Sequence, residues 1–293
     1  MKIAFHTNAF VWAGVTDLQT IADDALEMGY DALEIGPGIP LEEEKFRRAM
    51  KRISITNFIY CRNFISDEEE EAAHEQRELF ARMAFASSLG IENMVISTGI
   101  SRRLSLPAAS GSDPMKSMDP VVAFLERALA YAQKLHMRLL LENCPMYRNI
   151  ATSPVLFEEI FRRVPDLRLG LCYDASHFVW QMIEPIQPVY DFGKRIGHIH
   201  LKDTAIDRAL LSRVGILHNV GAERGMHPMQ WWRHTVMGQG EIDWAKFKRA
   251  LNDIGYSGSL SFEMEDYLYE CDPAKVRQGL TLQREYLKRE WGL

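Results

Sequence analysis

Four side chains able to ligate a metal stand at the ends of short apolar runs in the second half of the chain. They are Glu142 in LLLEN, Asp174 in LGLCYD, His200 in GHIHLKD and Glu263 in SLSFEMED. Each falls within a residue or so of the carboxyl end of a predicted strand. If those strands are parallel members of a closed barrel, their ends ring one opening and the four residues converge on it. Three carboxylates gathered in one cavity repel each other and are costly to bury uncompensated. One divalent metal ion resolves the conflict. Oxygen and nitrogen donors without thiolate suit Mn, Mg, Co, Fe or Zn, with manganese taken as the first expectation.

Other polar residues surround these four. His177, three residues past Asp174 in DASH, can reach a substrate from the rim or add a metal ligand. His198 shares the strand phase of His200 one layer deeper, where a histidine hydrogen-bonded to a supporting group is expected. Lys202 and Asp203 complete HLKD: the ammonium can hold a substrate oxygen or compensate the carboxylates, and Asp203 can orient a ligand. His6, near the end of the first strand, is a further candidate for substrate contact.

The elements that must position these residues alternate between apolar runs and helices that end at glycine. Eight strand candidates are legible: 2–8, 31–36, about 53–60, 91–97, 137–143, 168–174, 195–201 and 258–264. Helices are expected after Thr16 or Asp17, briefly in 41–50, over 67–89, 120–135, 154–163 and 244–254, and after Asp272-Pro273, where proline suits the first helical position. Eight parallel strands in 293 residues match a (β/α)8 TIM barrel, an α/β fold forming a single domain over 1–293. An open doubly wound sheet is disfavoured because Gly-x-Gly-x-x-Gly is missing after the first strand.

Two irregular stretches, 99–118 and 202–240, follow the fourth and seventh strands. In a barrel both lie at the carboxyl ends, where they are expected to wall or cover the opening. Within the second, Trp231 or Trp232 can face a sugar or pack the loop onto the barrel. In GQGEIDW, Asp243 is read as the cap of the helix beginning at Trp244.

Composition narrows the function. The 34 basic and 40 acidic residues give a net charge of -6, with no bulk attraction for nucleic acid or anionic lipid. The four cysteines include no CxxC pair, and no apolar window is long enough to span a bilayer. The expectation is a cytoplasmic protein with no membrane or nucleic-acid partner. Its outer helices leave room for a homo-oligomer.

Taken together, LLLENCP, GLCYDASH, GHIHLKDT, GQGEIDW and GYSGSLSFEMED resemble the sugar phosphate isomerase/epimerase family, the xylose isomerase-like TIM barrels. That grouping includes ketose 3-epimerases, hydroxypyruvate isomerase, inosose dehydratase and the endonuclease IV branch. The resemblance to the ketose 3-epimerases implies that Glu142, Asp174, His200 and Glu263 hold the metal, that Glu142 and Glu263 also move the proton, and that His177 contacts substrate. Glu265 shares the strand phase of Glu263 and is its rival as the last ligand. The chain departs from that branch at Arg148 and Ile206, where the ketose 3-epimerases carry glutamate and arginine. Arg148, with Arg62, Arg102, Arg103 or Arg224 if the loops bring them inward, would suit a substrate with an acceptor-rich group.

The expected function is a divalent-metal-dependent isomerase or epimerase of a carbohydrate or keto-sugar. It would abstract a proton beside a carbonyl and pass through an enediolate. A metal-dependent lyase or dehydratase acting on a keto-sugar, keto-inositol or 3-keto-glycoside by β-elimination is the alternative, because its first step is the same. An abasic-site endonuclease would need an aspartate-x-histidine pair after the seventh strand, and the GMH at 225–227 lacks the aspartate.

Overall fold

A computed structural model describes residues 1–105, 113–145, 149–216 and 231–293. All eight expected apolar runs become strands: β1 (Ile3–His6), β2 (Ala32–Ile35), β3 (Ser54–Tyr60), β4 (Asn93–Ile96), β5 (Arg138–Glu142), β6 (Leu169–Asp174), β7 (Ile196–Leu201) and β10 (Leu260–Phe262). Two more, β8 (Asp203–Ile206) and β9 (Trp232–Thr235), lie outside that set. The eight close into a parallel barrel in which β10 pairs with both β7 and β1. The chain is therefore a (β/α)8 TIM barrel.

Helices cover the outside, and their starts follow capping chemistry. The Asp17 carboxylate accepts from the Thr20 amide ahead of Leu18–Glu27, Asp243 accepts from Lys246 ahead of Trp244–Asp253, and Asp272 caps Pro273–Trp291. The longer helices Glu69–Ser88, Met118–Lys134 and Pro154–Arg163 fall where their apolar periodicity places them. Asn8–Trp12, Ser176–Trp180 and Gln187–Phe192 were not legible in the sequence, since five or six residues hold too few turns to show a period.

Side-chain alternation divides each strand between two environments. One set, including Phe5, Leu33, Phe58, Leu139, Leu171, Ile199 and Phe262, packs against the helices in one large apolar core. The other set points into the barrel, where Ile59, Cys61, Val95, Leu140 and Cys172 form a small apolar plug. By the same two-residue step, Glu142 follows Leu140 and Asp174 follows Cys172. The plug thus ends where the acidic layer begins.

The described parts of the stretch 202–240, residues 202–216 and 231–240, are more regular than their composition suggests. β8 and β9 pair antiparallel, Asp203 opposite Thr235 and Thr204 opposite His234, and Arg208–Val214 is helical. Short strands with mixed polarity leave little periodic signal, and this pair forms because the barrel brings its halves together. Among the described residues no helix is long and apolar enough to cross a membrane.

Candidate metal centre at the barrel mouth

Glu142 and Asp174 are the last residues of β5 and β6, His200 is one from the end of β7, and Glu263 follows β10. All four are buried. One group of donor atoms lying within 4.8 Å of one another comprises Glu142, Asp174, His177 and Glu263. His200 stands beside it: its Nδ1 is 3.1 Å from Glu142 Oε1 and 3.4 Å from Glu263 Oε2. On its other side, Nε2 lies 3.0 Å from Glu34 Oε2.

Glu34, at the carboxyl end of β2, joins these residues although it is absent from the sequence-derived candidates. The signal was present, because an acid in DALEIG obeys the same strand-end rule as Glu142. It is fully buried between His200 and His198, whose Nε2 is 3.3 Å away. Burial raises its pKa, but the charges of His200 and His198 outweigh this and hold it well below the usual carboxylate range. Burial also works against a protonated His200, yet Cys172, Glu263 and Glu34 lift it well above the ordinary histidine range. His198 also bonds Ser259 Oγ at 2.9 Å, the supporting place expected for it.

Lys202 carries the compensating charge. Its buried ammonium is 2.6 Å from Glu263, 2.7 Å from Glu265 and 3.2 Å from Asp174. Burial lowers its pKa, but these three carboxylates raise it well above the lysine norm. Glu263 is likewise pulled well down, burial being overcome by His200 and Lys202. Glu265 is pushed up to about 7 by burial and by Glu263, against the pull of Lys202. His6 Nδ1 lies 3.1 Å from Glu263 Oε1, so that residue flanks the carboxylate from β1. Arg148 and Arg224 lie outside the described residues, as does the GMH at 225–227.

Two further contacts complete the mouth. The Cys61 thiol donates to Glu142 Oε2 at 3.3 Å, and His6, Arg62, Glu142 and Glu263 help line a cavity of about 20 Å³. His177 is buried beside Lys202, with Nε2 3.4 Å from the ammonium. Burial and the Lys202 charge hold it well below the usual histidine pKa.

Asp203 has a structural place in the described geometry. It accepts from the amides of Thr204, Gly238 and Ile242 and from Trp244 Nε1, at 2.8 to 3.2 Å. These bonds tie β8 to the returning chain. A Cβ at Gly240 would collide with Asp203 Oδ1, which explains the second glycine in GQG. Trp232 stacks on Trp180 with centroids 4.5 Å apart and planes at 4°, packing the segment onto the barrel.

The donor chemistry fits a divalent cation. Three carboxylates converge with the His177 imidazole, and the Glu34–His200 contact is a carboxylate–histidine pair of the kind that orients metal-binding rings. Two other groups include thiols, Cys172 with His198 and His200, and Cys144 with Glu142 and His177. Burial pushes the Cys172 thiol strongly up, away from a thiolate ligand.

Fold and site together define a TIM barrel with a metal-binding-capable cluster at the carboxyl ends of its strands. The model of the xylose isomerase-like TIM barrel family matches residues 22–286, and the chain belongs to that family. It is 24% identical to protein YfiH of Bacillus subtilis strain 168, covering 91% of this chain and 93% of the relative. It is also 24% identical to the inosose dehydratase of Clostridium botulinum strain Eklund 17B, covering 93% and 89%. A solved L-ribulose 3-epimerase shares the fold with TM-score 0.74 and 16% identity over 99% of this chain and 94% of that one.

Proposed function

We propose that this protein is a divalent-metal-dependent isomerase or epimerase of a sugar or keto-sugar, with Glu142 and Glu263 as the proton-transferring pair. The observation carrying this reading is their placement. β5 and β10 are three steps apart around an eight-strand ring, and both carboxylates lie against His200 Nδ1. Two carboxylates approaching one substrate from different parts of the wall can take a proton from one face and return one to the other. Alternatively, one can move the proton to the neighbouring carbon.

Glu142, Asp174, His200 and Glu263 are the proposed ligands, with manganese as the first choice of ion. The bound cation would polarise a carbonyl and ease charge growth on its oxygen. His177 and His6 are proposed to meet the substrate, Lys202 to hold a substrate oxygen, and Arg148 to suit an acceptor-rich group. Glu34 holds His200 in place, and Cys61 hydrogen-bonds Glu142.

A second reading, β-elimination from a keto-sugar or keto-inositol, is supported by the similarity to an inosose dehydratase across nearly the whole chain. Both readings share proton removal beside a carbonyl. The test is incubation of metal-loaded protein in deuterated water with ketoses, aldoses, keto-inositols and 3-keto-glycosides. Deuterium beside the carbonyl in an isomeric product supports the first reading, and loss of water or an aglycone replaces it with the second. Absence of both reactions across the panel overturns the proposal.

A further inference from the structure

We propose that His234 is a substrate-binding residue whose Nε2 accepts a hydrogen bond from a hydroxyl group of the substrate. The inference rests on the reading that the mouth receives a polyhydroxylated compound, and it adds a contact outside the proposed metal ligands.

The argument begins with the tautomer. His234 and Thr204 face each other across β8 and β9. Thr204 has a single hydroxyl proton, which it donates to the Ser176 carbonyl at 2.9 Å. The same Thr204 oxygen lies 3.2 Å from His234 Nδ1. With the hydroxyl proton already committed, that contact is a hydrogen bond only if Nδ1 carries the proton and donates it. In the neutral ring, Nε2 is then a bare acceptor.

That acceptor is buried and has no hydrogen-bond partner among the described residues. Glu265 Oε2 lies 3.8 Å away, beyond hydrogen-bond reach. The ring is wedged edge-on against Trp232 at 5.0 Å and His177 at 5.1 Å, with Trp232 in turn stacked on Trp180. Packing on these sides holds the ring in its bond to Thr204. A buried acceptor without a donor is unfavourable, and a substrate O–H satisfies it. The same geometry discriminates chemically: a hydroxyl can donate here, whereas a carbonyl, carboxylate or phosphate dianion oxygen cannot.

The experiment uses full-length protein labelled with 15N-histidine and loaded with magnesium, a diamagnetic ion. Two-bond proton–nitrogen correlation is expected to show His234 protonated at Nδ1 and bare at Nε2. Thr204→Val is expected to release that preference. Titration with the neutral polyols xylitol and myo-inositol should move the His234 Nε2 resonance toward that of a hydrogen-bonded nitrogen. His234→Phe should weaken polyol binding at least tenfold. A wild-type ring protonated at Nε2, failure of both polyols to bind, or binding that leaves the Nε2 resonance unmoved overturns the proposal. So does equal polyol affinity in a folded His234→Phe; if that variant does not fold, the wild-type resonance decides. Turnover in the deuterium experiment without a His234 response rejects this contact while leaving the proposed reaction standing. A His234 response without turnover does the reverse.

Discussion

Glu34 and His200 are both fully buried, with Nε2 of the ring 3.0 Å from one carboxylate oxygen and 3.1 Å from the other. The contact turns Nδ1 toward Glu142 and Glu263, so an acid on the second strand sets the direction of an imidazole on the seventh. Replacing Glu34 with glutamine removes one of the charges that compensate His200. Breaking a buried pair in this way costs about 3 kcal/mol or more, and losing such an orienting carboxylate weakens metal binding by roughly 10- to 100-fold. Chemical denaturation and metal titration of Glu34→Gln check the two effects separately.

Metal content provides a direct test of the cluster. Protein prepared without chelator is expected to carry one principal divalent ion per chain, detected by elemental analysis. Asp174→Ala should lose it while keeping the barrel's circular dichroism. Full retention of the ion by that variant would contradict the placement of Asp174 in the ligand set.

The acid–base assignment predicts a kinetic pattern. Glu142→Gln and Glu263→Gln should each lower kcat by about 10² to 10⁴, the usual contribution of a positioned acid or base. KM should change far less, provided metal occupancy is matched between variants. Steady-state kinetics on the substrate identified in deuterated water measures this. Intact kcat in either variant removes that residue from proton transfer.

Asp203 makes a stability prediction remote from the chemistry. Asp203→Ala strips acceptors from three backbone amides and the Trp244 indole. Each buried donor left without a partner costs about 1–3 kcal/mol, so urea unfolding should show a marked loss. Gly240→Ala should also destabilise, because the added carbon meets the Asp203 carboxylate.

Glu265 predicts a pH dependence of the metal-free protein. Its pKa rises from 4.5 to about 7 on folding, through burial first and Glu263 after it. Between those values the folded state binds the proton that the unfolded state has released. Stability should therefore fall as pH rises from about 5 to 7. Unfolding midpoints across this range should lose that component in Glu265→Gln.

The strand ends were legible because they depend on local pattern. An apolar run followed by Glu142, Asp174 or His200 states both the element and the end of it that carries chemistry. Capping at Asp17, Asp243 and Asp272 is equally local, involving residues a few positions apart. The existence of the barrel and the layer containing its polar groups could be read from such patterns.

The partner of each polar group was decided only by closure of the barrel. Which imidazole lies among the three carboxylates, where the Lys202 ammonium rests and how Glu34 grips His200 all depend on distances between residues far apart in the chain. Register shifts in the β2–β3 and β6–β7 pairs alter those distances without altering any strand's pattern. His234 is the extreme case, since nothing near it in sequence marks a site. It stands beside His177 and Glu265 because β9 folds back on β8, which also sets its Nδ1 3.2 Å from the hydroxyl of Thr204, 30 positions earlier. Sequence pattern specified the elements and the face each presents, whereas tertiary packing specified the contacts, because local periodicity contains no information about separations across the closed ring.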